Sequence, residues 1–396
     1  MNQALQAVRR ASVDWRMVLM AGVLVVIALV FNSLSGGIFL SPENLYNIAQ
    51  QTAVVGILAT VMVLIIVARH IDLSVGSVMG FVGVLIATLM YTFNWPWPIA
   101  SLAGLAAAIA VAMYQGALTA VVGVPSFVVT LGGLMSFRGA AFLVADGRTQ
   151  PVTDAFFLRL GGGYEGAIGT TASWVLGLLL CLVFVVSAFG QRRAKKTYGV
   201  PTNPLWMDAL MVVIPGIVVL GFVAVMNAYQ IPNKDTPQGV PIPVLIWAAV
   251  ALFVSFLVHR TRFGRYIFAM GGNPDAAALV GIPVRRVTLL LFALLAVLTT
   301  IAAIVSIARL NAGTNSLGSN MELLVIAATV IGGTALSGGS GSILGSVLGA
   351  LIMQSIDSGM LLLDVPIGYR YVIIGQVLIA AVVFDVLYRK RTGEIS

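Results

Sequence analysis

Long apolar runs separated by short polar segments fill this chain. Twelve of them reach or approach the roughly 17–25 residues that a helix needs to cross a ~30 Å hydrocarbon core. They lie near 17–38, 44–68, 72–93, 97–122, 125–145, 171–190, 206–227, 242–259, 286–308, 321–338, 341–360 and 366–388. The runs are continuous and lack the short alternating segments of a membrane β-barrel. The pattern predicts an all-α polytopic membrane protein with about 12 transmembrane helices in a single domain over 1–396. No polar stretch between the runs is large enough to hold a soluble catalytic fold.

One polar segment is punctuated like a helix. In GGNPDAAALVGIPVRR (271–286), Asn273 is a good N-cap and Pro274 stands at the first helical position. Asp275 complements the positive end of the helix dipole, and three alanines follow. Gly281 supplies a left-handed stop with Pro283 just beyond. The segment therefore predicts a helix of about two turns, roughly 274–280, which is too short to stand alone in water. Such a helix calls for a docking partner.

Composition and charge sharpen this reading. The chain is 59% hydrophobic and 9% charged, with a net charge of +8. That charge is not a nucleic-acid footprint, because it is sorted by side. An even number of spans puts both termini on one side, and sixteen of the 22 basic residues fall there. They are Arg9, Arg10, Arg16, Arg69, Arg192, Arg193, Lys195, Lys196, Arg260, Arg262, Arg265, Arg285, Arg286, Arg389, Lys390 and Arg391. The positive-inside rule makes that side cytoplasmic, along with a linker at 191–205 and a coupling segment at 263–285. Arg9-Arg10 reads as an orientation signal, and the first span reads as retained. The single cysteine, Cys181, and two histidines, His70 and His259, leave no basis for a disulfide or a metal site.

Small residues and a few polar ones mark the spans. Gly341, Gly345 and Gly349 recur on one helix face, the pattern that lets helices approach closely in a bilayer. The preceding GGTALSGGSG (332–341) reads as a tight cytoplasmic hairpin; it lacks lysine, and no GxxxxGK[ST] phosphate loop occurs in the chain. Ionisable residues cluster at span ends: Asp72 and Asp385 near the inner side, Glu322, Asp357 and Arg370 near the outer side. Arg138 alone lies clearly inside a span, as a structural residue or one that snorkels outward. Asp72 and Ser74 either cap the helix that follows them or, with Gly76 and Thr130, stand at a translocation path or its gate.

Four stretches, IDLSVG (71–76), VPSFVVTLGGLMSFRG (124–139), GGNPDAAALVGI (271–282) and VIGGTALSGGSGSILGSVLGALI (330–352), resemble the sugar-transporting branch of ATP-binding-cassette permeases. They occur in that family's order across most of the chain. The extra pair of spans around 191–205 and the ending DSGMLLLDVP (357–366) are similar to its D-xylose-transporting members.

The resemblance implies a permease subunit of the bacterial inner membrane that moves a neutral monosaccharide and performs no chemistry itself. It implies a second copy of the permease, a cytoplasmic ATPase holding ATP and Mg, and a periplasmic sugar-binding protein, with membrane lipid around them. This chain would hold no cofactor and bind no nucleic acid. In the family a short helix carrying Glu-Ala-Ala-x-x-x-Gly enters a groove on the ATPase. Asp275, Ala276, Ala277 and Gly281 match that spacing, with Asp in place of Glu, inside a candidate coupling helix that also includes Asn273 and Leu279. Leu324 stands where related permeases often carry Asp. Two other readings remain: an ion-coupled secondary transporter, which lacks a good midplane carboxylate, and an intramembrane enzyme, which lacks a nucleophile–base set.

Overall fold

The computed structural model describes residues 15–392 apart from 164, 201, 203 and 232–235; Arg9 and Arg10 lie outside the described residues. The chain is almost wholly helical. In order the elements are α1 (Trp15–Leu34), α2 (Pro42–Val67), α3 (Val75–Tyr91), α4 (Trp97–Ala117, continued by a π-helical turn Leu118–Val122) and α5 (Ser126–Val144). A strand β1 (Gln150–Pro151) and a short helix α6 (Ala155–Arg159) follow, then α7 (Thr170–Thr197), α8 (Leu205–Ala228), α9 (Ile242–Arg260), α10 (Arg262–Gly272) and α11 (Pro274–Leu279). The chain continues through α12 (Val284–Leu310), β2 (Ala312–Gly313), α13 (Met321–Ile331), α14 (Ile343–Leu362) and α15 (Ile367–Thr392). Among the described residues ten helices are long and apolar enough to cross a membrane, and α3 and α13 are apolar but shorter.

The most buried helix is α2, which packs against α8, α9, α12, α13 and α14. Its sequence suits an interior helix, because it is apolar on every side. Ser41 caps it by accepting from the Asn44 N–H at 3.3 Å. Thr52 and Thr60 satisfy their hydroxyls on the carbonyls of Ile48 and Gly56, at 2.7 and 2.6 Å, so no polar group is left bare. The outer helices α1, α7 and α15 leave most of their side chains exposed. Arg16 of α1 pairs with Asp385 of α15 at 3.7 Å, which places both ends of the described chain at the same end of the bundle.

Three elements depart from the sequence expectation. The linker at 191–205 is half helical: α7 runs on to Thr197, because Gln, Arg and Lys are good helix formers even where a membrane-spanning run has ended. Its Arg192 pairs with Asp208 in the first turn of α8. A second unforeseen helix, α10, leads into α11; Thr261 caps it by accepting from the Gly264 N–H at 3.3 Å. It buries Gly264, Ile267, Met270 and Gly271 along one face.

The third departure is the largest. The run expected as a span at 321–338 is helical only over Met321–Ile331, and the residues before it form part of the crossing. After α12 ends at Asn311, in the left-handed region at φ 54°, the backbone descends alongside α3. Gly313 lies against Val84 and Ala87, Leu317 against Gly80 and Gly83, and Gly318 against Gly76. That stretch of α3 is about 16 Å long at 1.5 Å per residue, and the eleven residues of α13 add about as much again. This non-helical chain, with turns over 315–320, and the half-helix together match one hydrocarbon thickness. Irregular backbone at such depth is tolerated only when protein covers it, and the glycine face of α3 does so. Glu322, expected near an outer span end, sits instead about halfway along this crossing, buried beside Gly76.

α13 then meets α14 closely. A methyl on Gly345 would overlap the Gly332 carbonyl oxygen, and one on Gly349 would overlap that of Ala328. Gly341 instead faces Val63 and Val67 of α2. The expectation of three glycines on one helix face is corrected: Gly341 lies before Ser342, the N-cap of α14, so Gly345 and Gly349 alone set α14 against α13.

Candidate coupling and translocation site

The predicted two-turn helix is present as α11, six residues long. Asn273 Oδ1 accepts from the Ala276 N–H at 3.0 Å, and Pro274 occupies the first helical position. Gly281, at φ 84°, closes it, with the Ile282 N–H donating to the Ala277 carbonyl at 3.0 Å. The helix presents two faces. Ala277 is buried within this chain's own core, so the expectation that it approaches a partner is corrected: it is a seat, not a docking contact. The outward side carries Asp275, Ala276, Leu279 and Val280, and Leu279 and Val280 are 88% and 78% exposed. Two bare aliphatic side chains on so short a helix form an unpartnered apolar patch.

The seat of α11 is built from three distant segments. Arg69 follows α2 in the left-handed region at φ 64°. Its Nε donates to the Gly271 carbonyl at 2.7 Å and its Nη2 to that of Gly272 at 2.6 Å. The Gly339 N–H, from the 332–342 connection, donates to the Val67 carbonyl at 2.9 Å. Gly271 lies so close to that carbonyl that only glycine fits. The guanidinium fork therefore locks the residues just before Asn273 to the end of α2.

From Arg69 the chain runs directly into the turn that the sequence marked. His70, half-buried beside Thr288 and Phe292, is pushed down by burial to a pKa of about 4. The Ile71 N–H donates to Ser126 Oγ and the Leu73 N–H to Thr130 Oγ1, each at 3.1 Å. Asp72 Oδ1 accepts from the Ser74 N–H at 2.6 Å and from the Ser74 hydroxyl at 2.8 Å, while Gln115 Nε2 donates to Ser74 Oγ at 3.0 Å. Asp72 thus serves the start of α3, whereas Ser74 makes no side-chain cap. Asp72, Ser74 and Thr130 come together as a sealed hydrogen-bonded turn, and Gly76 receives the Gly318 backbone.

Arg138 has a definite task. Its Nη1 donates to the Leu317 carbonyl at 3.1 Å and to Ser319 Oγ at 2.9 Å, and its Nη2 to the Gly318 carbonyl at 3.3 Å. These are the carbonyls that an unbroken helix would have satisfied internally. The half-buried arginine pins the non-helical half of the interrupted crossing from α5.

Sequence reasoning missed a cavity of about 440 Å³, lined by both polar and aliphatic side chains, at the end of the bundle opposite α11. Gln51, Ser306, Arg309, Asn320, Leu324, Gln354, Asp357, Arg370 and Tyr371 are among its lining residues. Gln354 Nε2 donates to Gln51 Oε1 at 2.7 Å, and Arg370 Nη2 to Asp357 Oδ1 at 2.7 Å. A signal existed: glutamines inside otherwise apolar runs are costly and tend to be functional.

The match to a family model described as branched-chain amino acid transport system / permease component covers residues 44–382. The chain is 37% identical to the xylose transport system permease protein XylH of Haemophilus influenzae, over 96% of this chain and 98% of that protein. It is 33% identical to the ribose import permease protein RbsC of Escherichia coli K12, over 91% of each. It is 32% identical to the probable ABC transporter permease protein YphD of the same organism, over 94% of this chain and 91% of that one. No solved structure matches. The cargo named differs between the family and these relatives, while each is described as a permease. With the arrangement of apolar helices described above, this shows that the chain belongs to the branched-chain amino acid transport system / permease component family, as a multi-pass inner-membrane transport subunit of the ATP-binding-cassette type and not an enzyme.

Proposed function

We propose that this chain is the translocating subunit of an ATP-driven importer of a neutral monosaccharide, D-xylose. The observation that carries the reading is α11, a capped six-residue helix with Leu279 and Val280 bare, seated rigidly on the ends of α2 and α10. It is built to be gripped. The partner is a separate ATPase that binds ATP and Mg, and two copies of this chain, each with one such helix, match a pair of ATPase sites. A periplasmic binding protein delivers sugar at the opposite end. The basic end, with α11, faces the cytoplasm. D-xylose is supported by the 37% identity to a xylose permease across nearly the whole of both chains.

Coupling follows the bonds described above. When the paired ATPases close on ATP, they displace α11. Arg69 and the Gly339–Val67 bond pass that displacement to the end of α2 and the 68–74 turn. The turn is tied to α5 at Ser126 and Thr130, and α3 carries the interrupted crossing on its glycine face. The non-helical segment and α13 therefore move with it, and Ser319, Asn320, Met321, Leu323 and Leu324 form one wall of the cavity described above. The test is D-xylose uptake into proteoliposomes holding this chain, with and without the ATPase, internal ATP and external binding protein. Uptake that needs all of them is expected. Uptake by this chain alone, abolished by collapsing an ion gradient, would overturn the reading.

A further inference from the structure

We infer that the cavity between α2, α12, α13, α14 and α15 is a pentose-binding station on the import path; the inference rests on the importer reading above. The site stands in the right place. Gln51 lies in the first half of α2, Arg309 at the end of α12, and Gln354 in the second half of α14, all remote from α11. On the importer reading this is the half of the bundle where sugar arrives.

The chemistry of the wall selects a neutral polyol. Gln51 and Gln354 reach it from different helices and hold each other at 2.7 Å, with Gln354 only 4% exposed. Each amide keeps further donor and acceptor capacity after that bond, and Asn320 adds a third amide. A hydroxyl group both donates and accepts, so amides match it in either role. Arg309 Nε and Arg370 Nε are buried and carry no hydrogen bond. Asp357 pairs with Arg370, which leaves Arg309 as the one charge in the lining without an ion pair among the described residues. Tyr371 offers a flat apolar surface for the C–H face of a sugar ring. At about 440 Å³ the cavity falls within the roughly 300–1,000 Å³ usual for small-ligand sites. A larger cavity of about 620 Å³ lies at the basic end around Ser255 and Gly341, but its wall is mainly aliphatic and aromatic.

The wall is also mechanically apt. Asn320, at φ 58°, ends the non-helical half of the interrupted crossing and caps α13, the segment that the coupling route displaces. Two amides on α2 and α14 would then hold the sugar while the third moves away.

The test uses the full assembly in proteoliposomes, with Cys181→Ala as the parent and single cysteines Leu324→Cys in the cavity and Ser255→Cys in the basic-end cavity. Millimolar D-xylose is expected to slow modification of Leu324→Cys by a hydrophilic thiol reagent at least fivefold, and to leave Ser255→Cys unchanged within twofold. The paired variant Gln51→Leu/Gln354→Leu removes both partners of one bond, which buried packing tolerates far better than removing one. It is expected to purify with the ATPase and to import D-xylose at least tenfold more slowly. Full import by the paired variant overturns the inference. So does modification of Leu324→Cys that xylose does not slow, or that the xylose-derived carboxylate slows instead, in an assembly that imports xylose. If the parent assembly imports no xylose under ATP, the cargo reading itself fails, and the station falls with it.

Discussion

Replacing Leu279 and Val280 together by serine separates docking from folding. Both side chains are already in water, at 88% and 78% exposure, so the substitution costs the isolated chain little, within about 0.5 kcal/mol for such surface sites. On the proposed function, the assembled importer buries them on the ATPase. Full burial of a Leu or Val side chain contributes about 1.5–3 kcal/mol. Taking the lower bound for each gives about 3 kcal/mol per docking site, and every 1.4 kcal/mol is tenfold in affinity, so docking weakens by roughly a hundredfold. An assembly of two copies suffers the loss twice. The measurement is binding of the purified ATPase to detergent-solubilised variant, followed by ATP-dependent uptake. The expected result is an unchanged unfolding midpoint, a collapse of ATPase binding and loss of uptake. ATPase binding at the unmodified level would refute the outward face as the docking surface. Ala277→Arg cannot serve the same purpose. Ala277 is buried in this chain's core, so a long cation there unseats α11 and damages the fold before any partner is met.

Four further outcomes follow from the same geometry. Arg69→Gly keeps the left-handed backbone without steric cost but removes two charge-assisted hydrogen bonds, each about 1.5–3 kcal/mol; sugar moved per ATP hydrolysed should fall severalfold with ATPase binding intact, and an unchanged ratio would break the proposed route. Arg138→Leu should leave the Leu317 carbonyl without its donor, and Gly318 with only the Met321 N–H, and lower thermal stability, with Arg138→Lys recovering part of it; equal stability of Arg138→Leu and the parent would show that the crossing needs no pin. Gly349→Leu should destabilise by about 1–3 kcal/mol or more through overlap with the Ala328 backbone, seen as a lower unfolding temperature, whereas the same change at Gly375, where nothing lies within 4 Å, should be silent. His70, with its pKa lowered to about 4 against an ordinary 6.5, is neutral when folded; stability is fully present above about 6.5 and is lost as pH falls from there toward 4, and His70→Gln should flatten that slope.

What could be read from the sequence is what local rules govern. Asn273, Pro274 and Gly281 announce α11 because capping, proline placement and left-handed glycine act within a few residues, and the helix forms almost where those signals put it. Spans such as 242–259 and 286–308 are legible because apolar length alone decides them. The direction of Ala277 was not legible. On a six-residue helix every alanine looks alike, and only the tertiary contact with the chain's own core distinguishes the seat from the docking face. Arg69 is equally opaque: as a basic residue at a span end it reads as topology, and nothing nearby shows that residues about 200 positions away supply its acceptors.

The interrupted crossing shows why hydropathy counting fails where this permease is most mobile in the proposed mechanism. NAGTNSLGSN (311–320) is too polar to enter a span window, so the window slides to the apolar residues after it and absorbs part of the 332–341 connection. Chain at membrane depth need not be apolar, however, if its carbonyls find donors and its side is covered. Arg138 supplies the donors, and Gly76 and Gly80 on α3 supply the cover. The polar character of 311–320 is then compatible with its place, because its own turn bonds, such as Leu317 N–H to the Thr314 carbonyl, are completed by Arg138 of α5. A segment held by three guanidinium hydrogen bonds and glycine contacts is easier to shift than a helix held by its own ladder. The same residues that hide the crossing from the hydropathy pattern make it the natural moving wall of the cavity, between Asn320 on one side and the Gln51–Gln354 pair on the other.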